Sequence, residues 1–356
     1  MPEIQLDVTT IVAGGDGLAR EANGRVVFVR GVLPGERVEV RLTEERRDFA
    51  RAEIVRVVEA SSDRVEPPCR FVAAGCGGCE WQHIAPDAQA RYKRDIVVDA
   101  LRRIARIDDA PVGETIALAP FAYRTTVRIA IDRDGRAAFR KRDSHDLVSV
   151  DDCLVAHPTI AAQIRDGRWS GEREVTLRVD DVVAGRSFQV SPDSFFQIRL
   201  DGAAKLVDLV ADALARQHVD TVVDLYAGVG LFAATMHDRG FTVVAAVEGN
   251  PSAVADARAN LHGVCRVVKS DVAKWKGVPA DAVIADPSRD GLRRDGVAAL
   301  LQCEPRVVVL VSCDAAALGR DAKLLVDAGL RLEAAQPVDL FPQTPHIEVV
   351  STFVRL

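Results

Sequence analysis

A cysteine that closes a run of valines and a glutamate set in an apolar strand are the two side chains best suited to making and breaking bonds. Cys313 follows Arg306-Val307-Val308-Val309-Leu310-Val311-Ser312 and precedes a helix expected to begin near Ala315. A helix N-terminus favours the thiolate, the nucleophilic form of cysteine. Glu348 ends the stretch Phe341-Pro342-Gln343-Thr344-Pro345-His346-Ile347, and the two-residue period of a strand puts it on one face with His346. A carboxylate there is costly unless it is paired or used; the plainer alternative is an edge-strand glutamate facing water. A thiolate and a carboxylate together can carry covalent catalysis, in which sulfur adds to a substrate and the acid removes a proton. Cys265 and Cys303, by contrast, read as core residues.

Both residues must be delivered by the C-terminal part of the chain, where helices and strands alternate. After a helix over 203–217, strands are expected over 221–226, 242–248, 265–270, 281–286 and 306–312, with a last pair near 330 and over 347–356. This alternation predicts an α/β fold with a doubly wound parallel sheet, whose ligand crevice lies beyond the carboxyl ends of the strands. The first strand runs into Asp224-Leu225-Tyr226-Ala227-Gly228-Val229-Gly230, where Gly228 and Gly230 let the backbone turn tightly and approach a ligand. Glu248, ending the second strand about twenty residues on, can accept hydrogen bonds from both ribose hydroxyls of a nucleoside cofactor. A dinucleotide site would want a third glycine where Ala233 and Ala234 stand. The Asp-x-x-x-Gly-x-Gly form is closer to the loop that cradles S-adenosylmethionine. Asp286, in Asp286-Pro287-Ser288-Arg289, ends the fourth strand at the same crevice.

Two segments precede this one. Over 1–60, short apolar runs (Val26-Val27-Phe28-Val29, Val38-Glu39-Val40, Ile54-Val55-Arg56-Val57-Val58) are separated by turn signals such as Asn23-Gly24 and Pro34-Gly35, which predicts an OB-like β-barrel of four or five strands. Such a barrel either binds nucleic acid or serves as a cap. A break at Ser61-Ser62-Asp63 and Pro67-Pro68 opens a small, strand-rich central domain over 61–195, with a helix over 87–107; the doubly wound domain then occupies 196–356. The central segment holds Cys69, Cys76 and Cys79, spaced C-x6-C-x2-C, and Cys153 as a fourth candidate ligand. Four thiolates suit either a structural zinc or a [4Fe–4S] cluster, and three local ligands with one distant differ from the usual pair of zinc knuckles. Arg124, Arg128, Arg133, Arg136, Arg140, Lys141 and Arg142 surround Asp134-Gly135, a hairpin-turn signal, so a basic two-stranded ribbon is expected. It would either position phosphates or form a solvated charged face.

These motifs together resemble those of the RNA 5-methyluridine methyltransferase family. The resemblance spans the chain and rests on Phe195-Phe196-Gln197, Asp224 to Gly230, Asp286-Pro287-Ser288-Arg289-Asp290-Gly291-Leu292, Val311-Ser312-Cys313-Asp314 and Phe341 to Glu348. It implies that the barrel is a TRAM domain, that Gln197, Tyr226, Glu248 and Asp286 contact S-adenosylmethionine, and that Cys313 is the nucleophile and Glu348 the general base. It also implies that Cys69, Cys76, Cys79 and Cys153 hold a [4Fe–4S] cluster, although the first spacing is one residue longer than the family's usual one. Ser288 and Ala315 stand where family members often carry proline; neither position takes part in bond chemistry. Residue types follow from the reaction: carbon 5 of uracil attacks a sulfonium methyl only after a thiolate has added to carbon 6, and a base must then take the carbon 5 proton.

Composition limits the partners. The 356 residues are 48% apolar with a net charge of −6, the wrong sign for nonspecific coating of nucleic acid, so RNA is expected to be recognised by shape and a flipped base. No apolar run approaches the roughly eighteen residues that span a membrane, and no secretory leader is visible, so a cytoplasmic monomer that does not engage membranes is expected. Ribosomal RNA is favoured over transfer RNA by the resemblance. Rival readings each miss a residue. A radical methylthiotransferase needs C-x3-C-x2-C; a 5-methylcytosine enzyme needs a cysteine where Ser288 sits; an amino-group methylase wants an aromatic residue at Arg289; a non-catalytic RNA-binding protein would not keep both Cys313 and Glu348.

Overall fold

The computed structural model describes residues 3–179 and 181–356. β1 (Glu3–Ile11), β2 (Gly17–Arg20), β3 (Val26–Val29), β4 (Arg37–Glu45) and β5 (Phe49–Glu59) close into a barrel in the order β1-β2-β3-β5-β4. Alternation along the strands turns Leu6, Val8, Val27, Val29, Val38 and Val40 inward. Closure leaves no free strand edge. Outside, arginines face acids: Arg25 meets Glu21, Arg37 meets Asp7, Arg41 meets Glu3 and Arg56 meets Glu39. The barrel therefore presents a mixed surface rather than a basic one.

The chain continues through α1 (Arg70–Ala73) and α2 (Pro86–Ala100), which runs on into a π turn, Leu101–Ala105. β6 (Thr126–Ile131), β7 (Ala137–Arg140), β8 (Leu147–Ser149) and β9 (Glu174–Arg178) form an antiparallel sheet in the order β8-β7-β6-β9, and α3 (Pro158–Asp166) covers it through Ile160 and Ile164. A short hairpin, β10 (Val182–Val183) and β11 (Arg186–Ser187), leads on to α4 (Leu200–Arg216).

From there the expected alternation holds: β12 (Thr221–Leu225), α5 (Leu231–Asp238), β13 (Thr242–Glu248), α6 (Pro251–Asn260), β14 (Arg266–Lys269), β15 (Ala282–Ala285), α7 (Arg293–Leu301), β16 (Val307–Ser312), α8 (Ala315–Asp327), β17 (Leu330–Val338) and β18 (Glu348–Arg355). The seven strands lie in the order β14-β13-β12-β15-β16-β18-β17. β15 and β16 are buried along their whole length, as strands covered on both faces must be, which explains their near-continuous valine and isoleucine. The sheet is not wholly parallel, as the alternation alone would predict: β18 inserts between β16 and β17, antiparallel to both. Trp81, Ile84, Tyr92, Ile96 and Leu101, from the segment around α2, belong to the same core as Val223, Val283, Leu310 and Leu318 of the doubly wound sheet and its helices. Gly319 lets the α2 end approach, since a Cβ there would sit 2.9 Å from the Ala100 carbonyl. Among the described residues no helix is long and apolar enough to cross a membrane.

Candidate active site

The register of three neighbouring strands brings the expected catalytic pair together. β16 and β18 pair Ser312 with Val349, so the next residue on one strand, Cys313, meets the previous residue on the other, Glu348. Because β18 lies inside the sheet and Glu348 is only 4% exposed, the alternative of an edge glutamate in water is excluded. Asp286 follows Ala285 on β15, which pairs with Leu310 of β16, and so completes a row along one edge of the sheet. Glu348 carries an acid held well above its ordinary range, first by burial and then by Asp286, with Arg289 opposing. Burial raises Asp286 to about 7.

Cys313 differs from the expectation of an activated thiolate. Its thiol is pushed up to about 12, by burial first and then by the charges of Glu348 and Asp286; Arg289 pulls the other way. The N-terminus of α8 is taken by Asp314, whose Oδ1 accepts from the Ala317 amide at 2.7 Å. A side chain that caps its own helix leaves fewer free amides for the preceding sulfur. His346 also departs from expectation. β18 begins at Glu348, so His346 lies in the loop before the strand, where its Nε2 sits 3.3 Å from an Arg289 amino group. Burial and the nearby cations hold the ring down to about 4, so it is neutral and can accept from the guanidinium.

The glycine turn and Glu248 lie at the carboxyl ends of the neighbouring strands β12 and β13. Gly228 and Tyr226 adopt left-handed φ of 55° and 61°, and a Cβ at Gly228 would meet no atom within 4 Å, which leaves room above the turn for a ligand. Glu248 Oε2 accepts from the Gly228 amide at 2.9 Å and Oε1 from the Asn250 amide at 2.6 Å, so the acid fixes the loop while keeping lone pairs free. Tyr226 is half-buried, with its hydroxyl against Gly296 of α7. Gln197 is 7% exposed, and its side chain makes no hydrogen bond among the described residues. An amide that makes no internal hydrogen bond is free to meet a ligand. The residues present therefore fit S-adenosylmethionine. Sequence reasoning passed over Asp224, the first residue of the glycine motif. It is fully buried, its Oδ2 accepts from the Ala233 amide at 2.9 Å, its Oδ1 has no partner, and burial raises it to about 8.

Cys69, Cys76, Cys79 and Cys153 all line one cavity between the α1 segment and the central sheet, with Gln82, Arg124 and Phe139. Among the described residues no three Cys, His, Asp or Glu side chains converge closely enough to hold a single metal ion. Burial pushes the Cys79 thiol up to about 11, while Arg124 opposes the shift. Arg124 itself was expected on the basic ribbon; it instead turns inward, and its Nε is buried without a hydrogen-bond partner. The rest of the ribbon exists as β6 and β7, but Arg128 and Arg140 share Glu174, at 2.5 and 2.8 Å, and Arg142 meets Glu80 at 2.7 Å.

A doubly wound sheet with a glycine turn after its first strand and an acid at the end of its second has the architecture of an S-adenosylmethionine-dependent methyltransferase. The comparisons with known proteins narrow this. A TRAM-domain profile matches residues 3–55. An uncharacterized RNA methyltransferase of Gloeobacter violaceus is 33% identical over 99% of this chain and 96% of its own, and one from Streptomyces avermitilis is 31% identical over 98% and 97%. The 23S rRNA (uracil(1939)-C(5))-methyltransferase RlmD of Shewanella piezotolerans is 27% identical over 99% and 95%. The crystal structure of the Pyrococcus abyssi tRNA (uracil-54, C5)-methyltransferase in complex with S-adenosyl-L-homocysteine has the same fold, with a TM-score of 0.76 over 99% of this chain and all of that one, at 23% identity. The chain belongs to the RNA 5-methyluridine methyltransferase family.

Proposed function

We propose that this enzyme methylates carbon 5 of a uridine in RNA through a covalent adduct between Cys313 and the base, and that ribosomal RNA is the substrate. The observation that carries the reading is the juxtaposition of Cys313 and Glu348 across β16 and β18, at the same end of the sheet as the glycine turn and Glu248. S-adenosylmethionine, bound against Gln197, Tyr226, Gly228, Glu248 and Asp286, supplies an electrophilic methyl group. The Cys313 thiol releases its proton to solvent and its sulfur adds to carbon 6 of the uracil; the displaced electron pair makes carbon 5 the nucleophile that takes up the methyl group as the sulfonium sulfur departs as a neutral thioether. Glu348 then accepts the carbon 5 proton, the double bond re-forms and the sulfur leaves.

The raised acids suit this sequence. Burial disfavours the charged forms of both Cys313 and Glu348. Arg289 favours the ionised forms of both Cys313 and Glu348, the forms that addition and proton removal need.

That all four thiols line one cavity is what supports a shared [4Fe–4S] cluster there. Its ligands would be Cys69, Cys76, Cys79 and Cys153. The relative from Shewanella piezotolerans, which acts on 23S rRNA and aligns over the full length, supports ribosomal RNA. Mass-spectrometric mapping of 5-methyluridine in RNA from a deletion strain tests the assignment: loss of one site in ribosomal RNA is expected, and unchanged 5-methyluridine in all RNA would refute it.

A further inference from the structure

The segment that carries Gln197 crosses the glycine turn, and one helix that touches no reacting group holds the two together. Asn260, the last residue of α6, does so with a single side chain. Its Nδ2 donates to the Gln189 carbonyl and to the Val229 carbonyl, both at 2.9 Å, and its Oδ1 accepts from the Gln189 amide at 2.8 Å. Val229 lies between the two glycines of the turn, so this amide couples the crossing segment directly to the cofactor loop. One turn earlier, Asp256 is fully buried and accepts from the Ser191 amide (2.8 Å), the Ser191 hydroxyl (2.7 Å), the Ser194 hydroxyl (2.6 Å) and the Gln189 side-chain amide (3.3 Å). Burial alone would raise this acid, but the hydrogen bonds from Ser194 and Ser191 outweigh it and hold the acid below its usual value. At the other end of the segment, Arg186 donates to the Asn260 carbonyl at 2.6 Å and pairs with Asp238 at 2.8 Å.

We propose that Asp256 and Asn260 are positioning residues for S-adenosylmethionine, which set the Gln197 segment and the glycine turn in register so that the cofactor is gripped from both sides. The proposal rests on the reading of Gln197 and Glu248 as cofactor contacts. Asn260 is suited to the task because an amide alone among short side chains offers two donors and an acceptor at once. A carboxylate at this position keeps the bond to the Gln189 amide but turns an oxygen toward two carbonyl oxygens, so Asn260→Asp is expected to fail as Asn260→Ala does.

The test uses the full-length protein, with cofactor affinity read by calorimetry, RNA affinity by filter binding, and steady-state rates with both substrates varied. In Asn260→Ala the affinity for S-adenosylmethionine should fall roughly tenfold, the loss expected when three hydrogen bonds that act only through the site are removed. The KM for the cofactor should rise by the same factor, whereas kcat at saturating cofactor and the affinity for RNA should stay at wild-type values. A general loss of structure would lower all of these together. If Asn260→Ala melts below the assay temperature, Ser194→Ala, which removes one bond at the far end, should show the same selective pattern at several-fold. Glu248→Ala serves as the reference. If it binds the cofactor as wild type does, the site assignment and the positioning role both fall. If it loses affinity while folded Asn260→Ala or Ser194→Ala does not, the positioning role alone is refuted.

Discussion

Removal of the Lys93 ammonium should unseat the loop that presents Glu348. Lys93 Nζ lies 2.5 Å from Asp339 Oδ1, with side-chain exposures of 0% and 5%, and it also donates to the Phe341 carbonyl at 3.0 Å. The neighbouring backbone groups of this loop are held from the same side: the Pro342 carbonyl by the Tyr123 hydroxyl (3.0 Å), and the Gln343 amide and carbonyl by Gln89 and the Trp81 amide (both 2.8 Å). Lys93→Met keeps the apolar stem but leaves the Asp339 carboxylate buried and unpaired. Breaking one side of such a pair costs about 3–5 kcal/mol, which lowers the melting temperature of a unit this size by on the order of 10 °C. Replacing both partners, Lys93→Met with Asp339→Leu, removes the stranded charge and leaves only the Phe341 carbonyl without its donor, a loss of about 1 kcal/mol. A double-mutant cycle read by thermal melting should therefore show a large single-site loss that the second substitution mostly restores. A single mutant that melts within about 2 °C of wild type, or two losses that simply add, would refute the reasoning.

Glu248→Ala should weaken S-adenosylmethionine binding by about 1.5–3 kcal/mol, since it removes both the ribose acceptors and the carboxylate that holds the Gly228 amide; calorimetry on the folded mutant checks this. Asp224, raised in the folded state to about 8, binds a proton there that the unfolded chain has already released above its ordinary value near 4. Its contribution to stability is thus complete below that value and is lost as pH rises toward 8, so the cofactor-free protein should melt lower at pH 8 than at pH 5. Asp224→Asn, whose amide imitates the protonated acid, should flatten that decline, and an unchanged slope would contradict the assignment. Anaerobically purified protein should contain iron and sulfide and absorb broadly toward the blue; stoichiometric zinc without iron would exclude the cluster.

The barrel and the strand and helix order of the C-terminal half could be read from the sequence because each depends on local pattern: alternation, valine runs and glycine turns. What could not be read is what neighbours do to a residue. β18 is as apolar as a parallel core strand, so its reversed direction between β16 and β17 left no local signature, yet that reversal is what places Glu348 against Cys313. Arg124 lies in a basic run and points into the cysteine cavity all the same, because the face on which a side chain lands is set by register. The raised Cys313 thiol could not be read either, because burial first and then the charges of Glu348 and Asp286 set it, and all three come from the assembled site. The Asp256 and Asn260 side chains bond to residues 31 to 71 positions away and carry no motif.

The central claim is that Cys313 and Glu348 act in turn on one adduct, so loss of each should halt the reaction at a different point. Cys313→Ala removes the group that activates carbon 5, and neither adduct nor product should form. Glu348→Gln leaves addition and methyl transfer possible but removes the acceptor for the carbon 5 proton, so the sulfur cannot leave and methylated RNA should stay bonded to the protein. The direct measurement is denaturing gel electrophoresis of Glu348→Gln incubated with labelled RNA and S-adenosylmethionine. A slow-migrating, protease-sensitive band that disappears when Cys313→Ala is added is the predicted result; normal turnover by Glu348→Gln, or a band that survives the loss of Cys313, would contradict the mechanism.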